Sequence, residues 1–193
     1  MQNIKLGYAF CGSFCTINKS LSVLKELAEY DIDITPIMSE ITYSTDTRFG
    51  KAKDHIERIE AICQKEIIHS IRTAEPIGPK NELDIMIIEP CTGNTLAKLA
   101  NGITDTSVTL AAKAHLRNSK PLLIAVSTND ALSSSAANIG KLMNTRNVYF
   151  VPLRQDNPSE KPRSVVADFD KTLDSIHKAM KNEQIQPIIS AKI

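Results

Sequence analysis

The sequence predicts one three-layer α/β domain, in which helices cover both faces of a parallel sheet. Strand-like runs and helical patterns alternate along nearly the whole chain, as expected for strands that are joined by helical crossovers. The central strand-like runs are continuously apolar, which indicates burial on both faces. A length of 193 residues with 42% hydrophobic residues fits a single domain with a substantial core. We therefore expect one domain over residues 1–193, with a core to residue 183 and a C-terminal tail from residue 184.

Five strands are predicted from runs rich in Ile, Val and aromatic residues. They cover residues 4–10, 32–38, 84–89, 122–127 and 148–151. Apolar residues at helical spacing predict helices around residues 21–28 and 56–63, and at 95–100, 108–117, 136–143 and 165–180. Each predicted strand is thus followed by helical sequence, which is the pattern of a parallel sheet.

Two segments near the end of the chain are predicted to be irregular. Residues 155–162 are polar and carry two prolines, so we expect an exposed loop before the last helix. Residues 184–193 are expected to form a tail. Because the tail contains Ile185, Ile188 and Ile189, it either stays on the surface or docks on a neighbouring protomer, and the sequence leaves both alternatives open.

The charge balance argues against a polyanionic partner. Lys and Arg number 23 against 22 Asp and Glu, and a net charge of +1 provides no long-range field that would attract nucleic acid or an anionic membrane. The first residues lead into a strand-like run without the features of a signal peptide, and no apolar run approaches the length of a membrane span. We expect a cytoplasmic protein whose ligands are small molecules and other proteins.

The four cysteines do not form a metal-binding pattern. Cys11, Cys15, Cys63 and Cys91 are scattered, without paired C-x-x-C units, so no metal site is predicted. Cys11 and Cys15 are interpreted as small residues that flank a turn, and Cys63 as a helix core residue. Whether Cys91 reacts or only packs stays open, because thiol reactivity requires a lowered pKa.

The loop after the first strand has features of a phosphate site. Ligands of parallel sheets bind beyond the carboxyl ends of the strands. There Gly12 permits close backbone approach, and Ser13 offers a hydroxyl beside the amides that open a helix. Ser39 places another hydroxyl at the end of the second strand. A tight turn needs small residues in any case, so a purely structural role stays open, and the loop matches neither dinucleotide nor Walker motifs.

The loop after the third strand carries the longest motif. Here the sequence resembles the flavoprotein family that contains FMN-dependent cysteine decarboxylases and flavin prenyltransferases, whose members carry Pro-Ala-Ser-Ala-Asn-Thr followed by Lys-x-Ala-x-Gly-x-x-Asp. The matching residues are Pro90, Asn94, Thr95, Lys98, Ala100, Asn101, Gly102 and Asp105, with Cys91, Thr92 and Gly93 as variants. The alternative is that Asn94 and Thr95 only cap a helix.

Further segments resemble the dipicolinate synthase B subunits, a group within that family. Segments 45–52, 75–80, 112–118, 127–132 and 148–152 carry this resemblance. It implies a flavodoxin-like or Rossmann-like sheet, FMN as cofactor, and a homo-oligomer that is a trimer or a multiple of one. It also implies a separate dehydrogenase-like partner, the dipicolinate synthase A subunit, together with a small dicarboxylate substrate. The implied role is oxidation of dihydrodipicolinate to dipicolinate in the mother cell during sporulation.

The resemblance also assigns the residues expected to hold the flavin. They are Gly12, Ser13, Ser39, Thr92, Asn94, Thr95, Ser127 and Asn129. Asp105 and Asp130 either contact the ribityl chain or hold a helix end, and the sequence does not decide between these roles.

The sequence departs from the family where its sister activities have their reactive residues. Decarboxylases carry a histidine fourteen residues before the motif proline, and this chain has Pro76 there. Ser127-Thr128-Asn129-Asp130 stands where decarboxylases have Pro-Ala-Met-Asn, and Ser127 replaces an arginine of the prenyltransferases. Catalytic residues therefore remain unknown. The alternative functions are a flavin-dependent decarboxylase and a non-catalytic assembly or activating partner of the A subunit.

Arg48 is the candidate for binding the substrate. It lies in a polar loop with Asp46 and Lys51, and the simplest interpretation is a solvated helix start. A guanidinium can bind a carboxylate through two parallel hydrogen bonds, so Arg48 is also a candidate clamp for a dicarboxylate.

Overall fold

The computed structural model of the chain describes residues 4–190 and contains a seven-stranded sheet. The strands are β1 (Ile4–Phe10), β2 (Ile32–Met38), β3 (Ile85–Cys91), β4 (Leu122–Thr128), β5 (Val148–Phe150), β6 (Leu153–Asn157) and β7 (Lys161–Ala167). The first five are parallel, in the spatial order β2-β1-β3-β4-β5. This is the flavodoxin-like order of a doubly wound sheet, so the predicted fold class is confirmed.

Helices cover both faces of the sheet. They are α1 (Ile17–Leu27), α2 (Glu40–Ser44), α3 (Ala52–Cys63), α4 (Ile71–Ala74), α5 (Ile77–Lys80), α6 (Gly93–Ala100), α7 (Ser107–Arg117), α8 (Ala136–Met143) and α9 (Thr172–Ala179). Apolar side chains of α1, α3 and α9 pack on one face, and those of α4 to α8 pack on the other. Because consecutive strand residues point to opposite faces, the all-buried strand β3 contributes to both cores.

Two expectations for residues 155–180 are wrong. The predicted loop 155–162 is instead the end of an antiparallel hairpin, in which residues 155–157 belong to β6, residues 161–162 belong to β7 and only residues 158–160 form the turn. The predicted helix 165–180 begins only at Thr172, after the strand β7 and a 3-10 turn at Phe169–Lys171. Val165 and Val166 belong to the strand, since they pair with Thr128 and Ser127 at the end of β4. β-branched residues fit a pleated sheet well, and this pairing with distant residues decides the structure.

The last described residues run along the β5–β6 corner of their own protomer. The Leu153 amide donates a hydrogen bond to the Ile188 carbonyl at 2.7 Å, and the Ser190 amide donates to the Leu153 carbonyl at 2.8 Å. Ile189 remains 62% exposed. The boundary at residue 184 and a contact with a neighbouring protomer stay predictions, and residues 191–193 of the predicted tail lie outside the described residues.

Within residues 4–190, no helix combines the length and the apolar character needed to cross a bilayer. The same residues contain no group of three or more His, Cys, Asp or Glu side chains that could hold a metal ion.

Candidate functional site

An open cleft of about 710 Å³ lies beyond the carboxyl ends of β1, β2 and β3. Its volume falls in the range of small-molecule sites. The cleft is at the position where the strand order reverses between β1 and β3, which is where ligands bind in doubly wound sheets. Five of the residues predicted from the sequence line it, namely Gly12, Ser39, Thr92, Asn94 and Thr95. Phe14, Glu40, Ile41, Ser44, Lys98, Asp105 and Thr106 complete the lining.

Gly12 lies in the cleft wall where the chain leaves β1. A Cβ atom built on Gly12 would meet the Phe14 ring at 3.5 Å and the Ile41 side chain at 3.6 Å, which are ordinary contact distances. The packing of the protein itself therefore does not require glycine at this position. A ligand that approaches the backbone closely does require it.

Three hydroxyl groups form a closed triangle behind Gly12. Ser13 Oγ lies 2.8 Å from Ser127 Oγ, and Thr16 Oγ1 lies 3.0 Å from each of them. Ser127 is buried at the end of β4. The triangle fixes the 3-10 turn Phe14–Thr16, whose first amides have no partner within the turn and are available to an anion.

The second wall is formed by α2. Ser39 precedes this short helix in an extended conformation, and its Oγ lies 2.7 Å from Thr42 Oγ1. The Glu40 carboxylate accepts a hydrogen bond from the Ser107 amide at 2.8 Å, which ties α2 to the N-terminus of α7. Ile41 is 59% exposed and faces the cleft near Phe14, so this part of the wall is apolar.

The third wall is the loop between β3 and α6. Thr92 is the N-cap residue, because its Oγ1 accepts a hydrogen bond from the Thr95 amide at 3.2 Å. Thr95 Oγ1 donates to Cys11 Sγ at 3.2 Å and so connects this loop to the end of β1. Asn94 does not cap the helix; it is exposed and lines the cleft.

Asp130 organises the neighbouring loop. Its carboxylate accepts hydrogen bonds from Ser134, from Thr128 at 2.6 Å and from Ser135 at 2.9 Å, and these bonds lower its pKa. A Cβ on Gly93 would lie 2.7 to 2.8 Å from side-chain oxygens of this network. The network therefore leaves room only for glycine at the start of α6.

Asp105 is paired with Lys98 at the edge of the cleft. Lys98 Nζ lies 2.7 Å from the Asp105 carboxylate, and this hydrogen bond lowers the pKa of Asp105. The pair joins α6 to the segment that leads into α7, and both residues line the cleft.

Ser13, Ser127, Asn129 and Arg48 are not among the residues that line the cleft. Asn129 is exposed beside β7, where Ser164 Oγ lies 3.5 Å from its side-chain oxygen. Arg48 is exposed in the Thr47–Gly50 turn, with its guanidinium 4.9 Å from the centroid of the Phe49 ring. Their roles toward a ligand stay predictions.

Histidine is absent from the lining of the cleft within residues 4–190. Pro76 occupies the start of α5. His55 and His115 are buried, and burial lowers the pKa of both. His115 Nε2 lies 2.9 Å from the Pro121 carbonyl, before the start of β4 and so at the opposite end of the sheet from the cleft.

The thiols near the cleft are not activated. Burial raises the pKa of Cys11 to about 12 and also raises the pKa of Cys91. Since the thiolate is the reactive form, both cysteines are interpreted as packing residues.

Sequence reasoning missed one buried acid next to the site. Glu89 is 0% exposed near the end of β3, and burial raises its pKa to about 8. The available signal was an acidic residue at the end of an apolar run, Ile85 to Ile88, directly before the motif proline, because acidic side chains are rarely buried without partners.

Comparison with known proteins gives consistent matches over the whole chain. The model of the Flavoprotein family matches residues 1–191. The dipicolinate synthase B subunit of Bacillus subtilis (strain 168) is 42% identical over 189 residues, which cover 98% of this chain and 94% of that protein. The crystal structure of the dipicolinate synthase B subunit from Bacillus halodurans C has a TM-score of 0.91 and 40% identity, with full coverage of both chains. The FMN-dependent cysteine decarboxylase SpaF shares the fold, with a TM-score of 0.66 and 22% identity over 93% of this chain and 96% of its own.

Proposed function

Because the chain belongs to the Flavoprotein family, in the group of the dipicolinate synthase B subunits, we propose that it binds FMN in the cleft. We further propose that, together with a separate A subunit, it takes part in oxidising dihydrodipicolinate to dipicolinate during sporulation. One observation carries this proposal: the ends of three strands bring Gly12, Ser39 and the motif loop Thr92–Thr95 into one cleft. In flavodoxin-like sheets this is the position that FMN occupies.

The donor groups of the cleft fit the phosphate end of FMN. The first amides of the Phe14–Thr16 turn and the Ser39 hydroxyl can donate to phosphate oxygens. Of the two acids that line the cleft, Asp105 pairs with Lys98, whereas Glu40 forms no ion pair among the described residues and accepts a hydrogen bond from the Ser107 amide at the N-terminus of α7. The positive end of the α7 dipole stabilises the Glu40 carboxylate, so the negative charge of Glu40 is partly offset at this wall.

The apolar part of the cleft fits the flavin ring. Phe14 and the exposed Ile41 lie in its lining, and small-molecule sites typically combine such apolar surface with a few placed polar groups. In this scheme the exposed Asn94 amide donates and accepts hydrogen bonds at the polar edge of the ligand, and Thr95, whose hydroxyl donates to Cys11, can still accept one.

Bound flavin supplies a hydride acceptor, which is what aromatisation of a dihydropyridine ring requires. The ring loses one hydride and one proton, and the open cleft lets the proton pass to solvent. Residues of this chain bind and orient the reactants. In this scheme Arg48 holds a substrate carboxylate through two hydrogen bonds, and Asn129 and Ser127 support the flavin from the end of β4.

We also propose that the protein acts as a homo-oligomer, a trimer or a multiple of one, in the cytoplasm of the mother cell. The dodecameric FMN-dependent UbiX-like decarboxylase of Escherichia coli O157:H7, which shares the fold with a TM-score of 0.63 and 23% identity, supports this proposal. Light scattering coupled to size exclusion gives the mass directly.

Replacing Gly12 tests the location of the site. Gly12→Val adds bulk at the cleft wall, and a Cβ there makes only ordinary contacts with the protein. We expect the variant to fold, which its melting transition will show, and to bind FMN at least tenfold more weakly in a fluorescence titration. Gly140→Ala is the matched control, because a Cβ on Gly140 meets open space on α8. Wild-type affinity in Gly12→Val would place the flavin elsewhere, and a wild-type chain that binds no FMN would refute the proposal.

A non-catalytic role is the second candidate function. Two observations favour it. Pro76 stands at the place of the family histidine, and no histidine among residues 4–190 lines the cleft. In that case a chain without flavin would still activate the A subunit. Reduction of a stoichiometric flavin by substrate, seen when the A subunit is present, would instead show that this chain takes part in the redox step.

Decarboxylation of a cysteine-containing substrate is the third candidate. The same departures predict that the purified chain releases no carbon dioxide from such a compound. Release at a rate that depends on added FMN would overturn that expectation.

A further inference from the structure

Glu89 is a buried acid in an apolar environment. Its Oε1 lies 3.0 Å from the Tyr8 hydroxyl, and its Oε2 lies 2.8 Å from Thr172 Oγ1, both within hydrogen-bond distance. No lysine, arginine or histidine of the described residues forms an ion pair with it. An uncompensated buried charge is expensive, so the carboxyl group is neutral at pH 7, in agreement with a pKa raised to about 8 by burial.

Glu89 lies where main-chain pairing of β3 is interrupted. Pairing with β1 extends to Ile88, opposite Ala9. On the other side Ile88 pairs with Ile124, and the next pair is Cys91 with Val126, so three steps along β3 face two steps along β4. This is a β-bulge, a feature that often redirects side chains next to functional sites.

Side chains from three elements hold the bulge, in addition to one main-chain hydrogen bond from the Cys11 amide to the Pro90 carbonyl at 3.3 Å. Tyr8 of β1 and Thr172 of α9 bind the carboxyl group, and Ser20 Oγ of α1 donates to the Glu89 main-chain carbonyl at 2.5 Å. Ser20 Oγ also lies 2.9 Å from the Tyr8 hydroxyl. The polar groups form one connected buried network.

The residues that follow the bulge are the lining residues of the third wall. Pro90 and Cys91 separate Glu89 from Thr92, the cap of α6, and Thr95 then ties back to Cys11. The direction in which the chain leaves the bulge therefore sets the position of Thr92, Asn94 and Thr95.

We infer that Glu89 is a positioning residue of the flavin site, which fixes the β3 bulge through Tyr8, Thr172 and Ser20 and so aims Thr92, Asn94 and Thr95 into the cleft. The inference rests on the proposed function for the identity of the ligand. The expected effect of Glu89 on the loop Thr92–Thr95 is independent of the proposed function.

Substitution of Glu89 separates positioning from general stability. Glu89→Gln keeps the size and the acceptor oxygen, whereas Glu89→Leu removes every polar contact of the side chain. His115→Leu is the matched control, since it removes a buried hydrogen bond of α7 at the opposite end of the sheet. All variants are measured at a temperature well below their melting transitions.

For Glu89→Leu we expect FMN to bind at least tenfold more weakly and the amides of Thr92 to Thr95 to exchange hydrogen at least tenfold faster in the absence of flavin. Glu89→Gln restores both values to within threefold of wild type. His115→Leu lowers the melting temperature but changes neither value. A Glu89→Leu protein with wild-type affinity and wild-type loop exchange would overturn the inference.

The pH dependence gives a readout that a purely structural role would not move. Tyr8 is the titratable group that faces Glu89, because Thr172 of α9 and Ser20 of α1 carry no charge. Tyr8 in turn lies close enough to Cys63 of α3 for the thiol to raise the pKa of Tyr8. Burial raises the pKa of Tyr8 well above its usual value and that of Cys63 to about 12, so neither ionises between pH 7 and pH 9. The FMN phosphate is already doubly ionised there. Glu89 is therefore the group of this network that ionises between pH 7 and pH 9. We expect the affinity of the wild-type protein for FMN to fall across this interval, and the affinity of Glu89→Gln to stay constant.

Two further variants keep the inference testable if Glu89→Leu does not fold. Tyr8→Phe and Thr172→Val each remove one hydroxyl that bonds the carboxyl group, and each is expected to accelerate loop exchange severalfold. Unchanged exchange in both would overturn the inference. A wild-type chain that binds no FMN would refute the proposed function, while the exchange measurements would still decide the role of Glu89.

Discussion

The side-chain oxygens of Ser13 and Ser127 lie 2.8 Å apart, although 114 residues separate them in the chain. Thr16 Oγ1 lies 3.0 Å from both and completes the triangle. The contact connects the turn after β1 to the end of β4, so the shape of the predicted phosphate loop depends on a residue from a different strand. Ser127 therefore supports the site from behind its first wall.

Replacing Ser127 by alanine tests this support. The variant leaves Ser13 and Thr16 without their shared partner, and the loss of such hydrogen bonds corresponds to about 1 kcal/mol, or roughly a fivefold weaker affinity for FMN. A fluorescence titration measures the affinity. Ser22→Ala on the exposed face of α1 is the control, and it should bind as wild type. Equal affinity in both variants would contradict a supporting role for Ser127.

The substitutions Gly93→Ala and Gly140→Ala should change the free energy of unfolding in opposite directions. A Cβ on Gly93 would lie 2.8 Å from the Asp130 carboxylate, which three hydroxyls hold in place, so we expect Gly93→Ala to lower the free energy of unfolding by about 1 to 3 kcal/mol. Gly140 lies inside α8 with open space around it, and Gly140→Ala should raise that free energy by about 0.5 to 1 kcal/mol. Urea denaturation measures both. A smaller penalty for Gly93→Ala in an Asp130→Ala background would confirm the origin of the clash, and an unchanged penalty would exclude it.

Glu89 predicts a pH dependence of stability. Its pKa is about 8 in the folded state and about 4.3 in the unfolded chain, so between these values the folded state binds more protons. The free energy of unfolding attributable to Glu89 therefore falls as the pH rises from about 5 to about 8, by a few kcal/mol in order of magnitude.

The comparison with Glu89→Gln isolates this contribution. Burial lowers the pKa of His55 and of His115, so these residues make the free energy of unfolding rise with pH below the usual pKa of histidine. The wild-type protein and Glu89→Gln share this rise. Urea midpoints of the two proteins should therefore differ most in their slope between pH 5 and pH 8. Parallel curves over that interval would mean that Glu89 is ionised in the folded protein.

Arg48 predicts a separation between substrate and flavin binding. Its exposed guanidinium lies beside the Phe49 ring in the Thr47–Gly50 turn. Among the described residues, it forms no hydrogen bond with a residue that lines the cleft. We expect Arg48→Ala to weaken precursor binding about tenfold or more and to leave FMN affinity unchanged, and Arg48→Lys to restore only part of the loss. Calorimetric titration of the precursor into the flavin-loaded protein measures this. Loss of flavin in Arg48→Ala would remove the residue from the substrate site.

The sequence was sufficient to predict the five parallel strands and five of the twelve residues that line the cleft. The bounds of β1 and β2 agree with the predicted strands, because both segments are rich in apolar residues and each is followed by small or polar residues. The lining positions Gly12 and Ser39 could be found because the carboxyl ends of parallel strands meet at one edge. The resemblance to a known family added the motif loop.

The features that could not be predicted depend on contacts between distant residues. Val165 and Val166 have an apolar pattern that suits either a helix or a strand, and pairing with Ser127 and Thr128 decides it. The hydroxyl triangle and the Glu89 network likewise join residues that are far apart in the chain. The sequence shows an acid before Pro90, but only the fold shows that it is buried.

The most direct test of the proposed function is dipicolinate formation from freshly generated dihydrodipicolinate. Three samples are compared, namely the isolated A subunit, this chain alone, and the two together, with the flavin absorption band recorded in each. The proposal predicts product only in the combined mixture, accompanied by bleaching of a flavin bound to this chain. Full activity of the isolated A subunit, with no change in the flavin band when this chain is added, would contradict it.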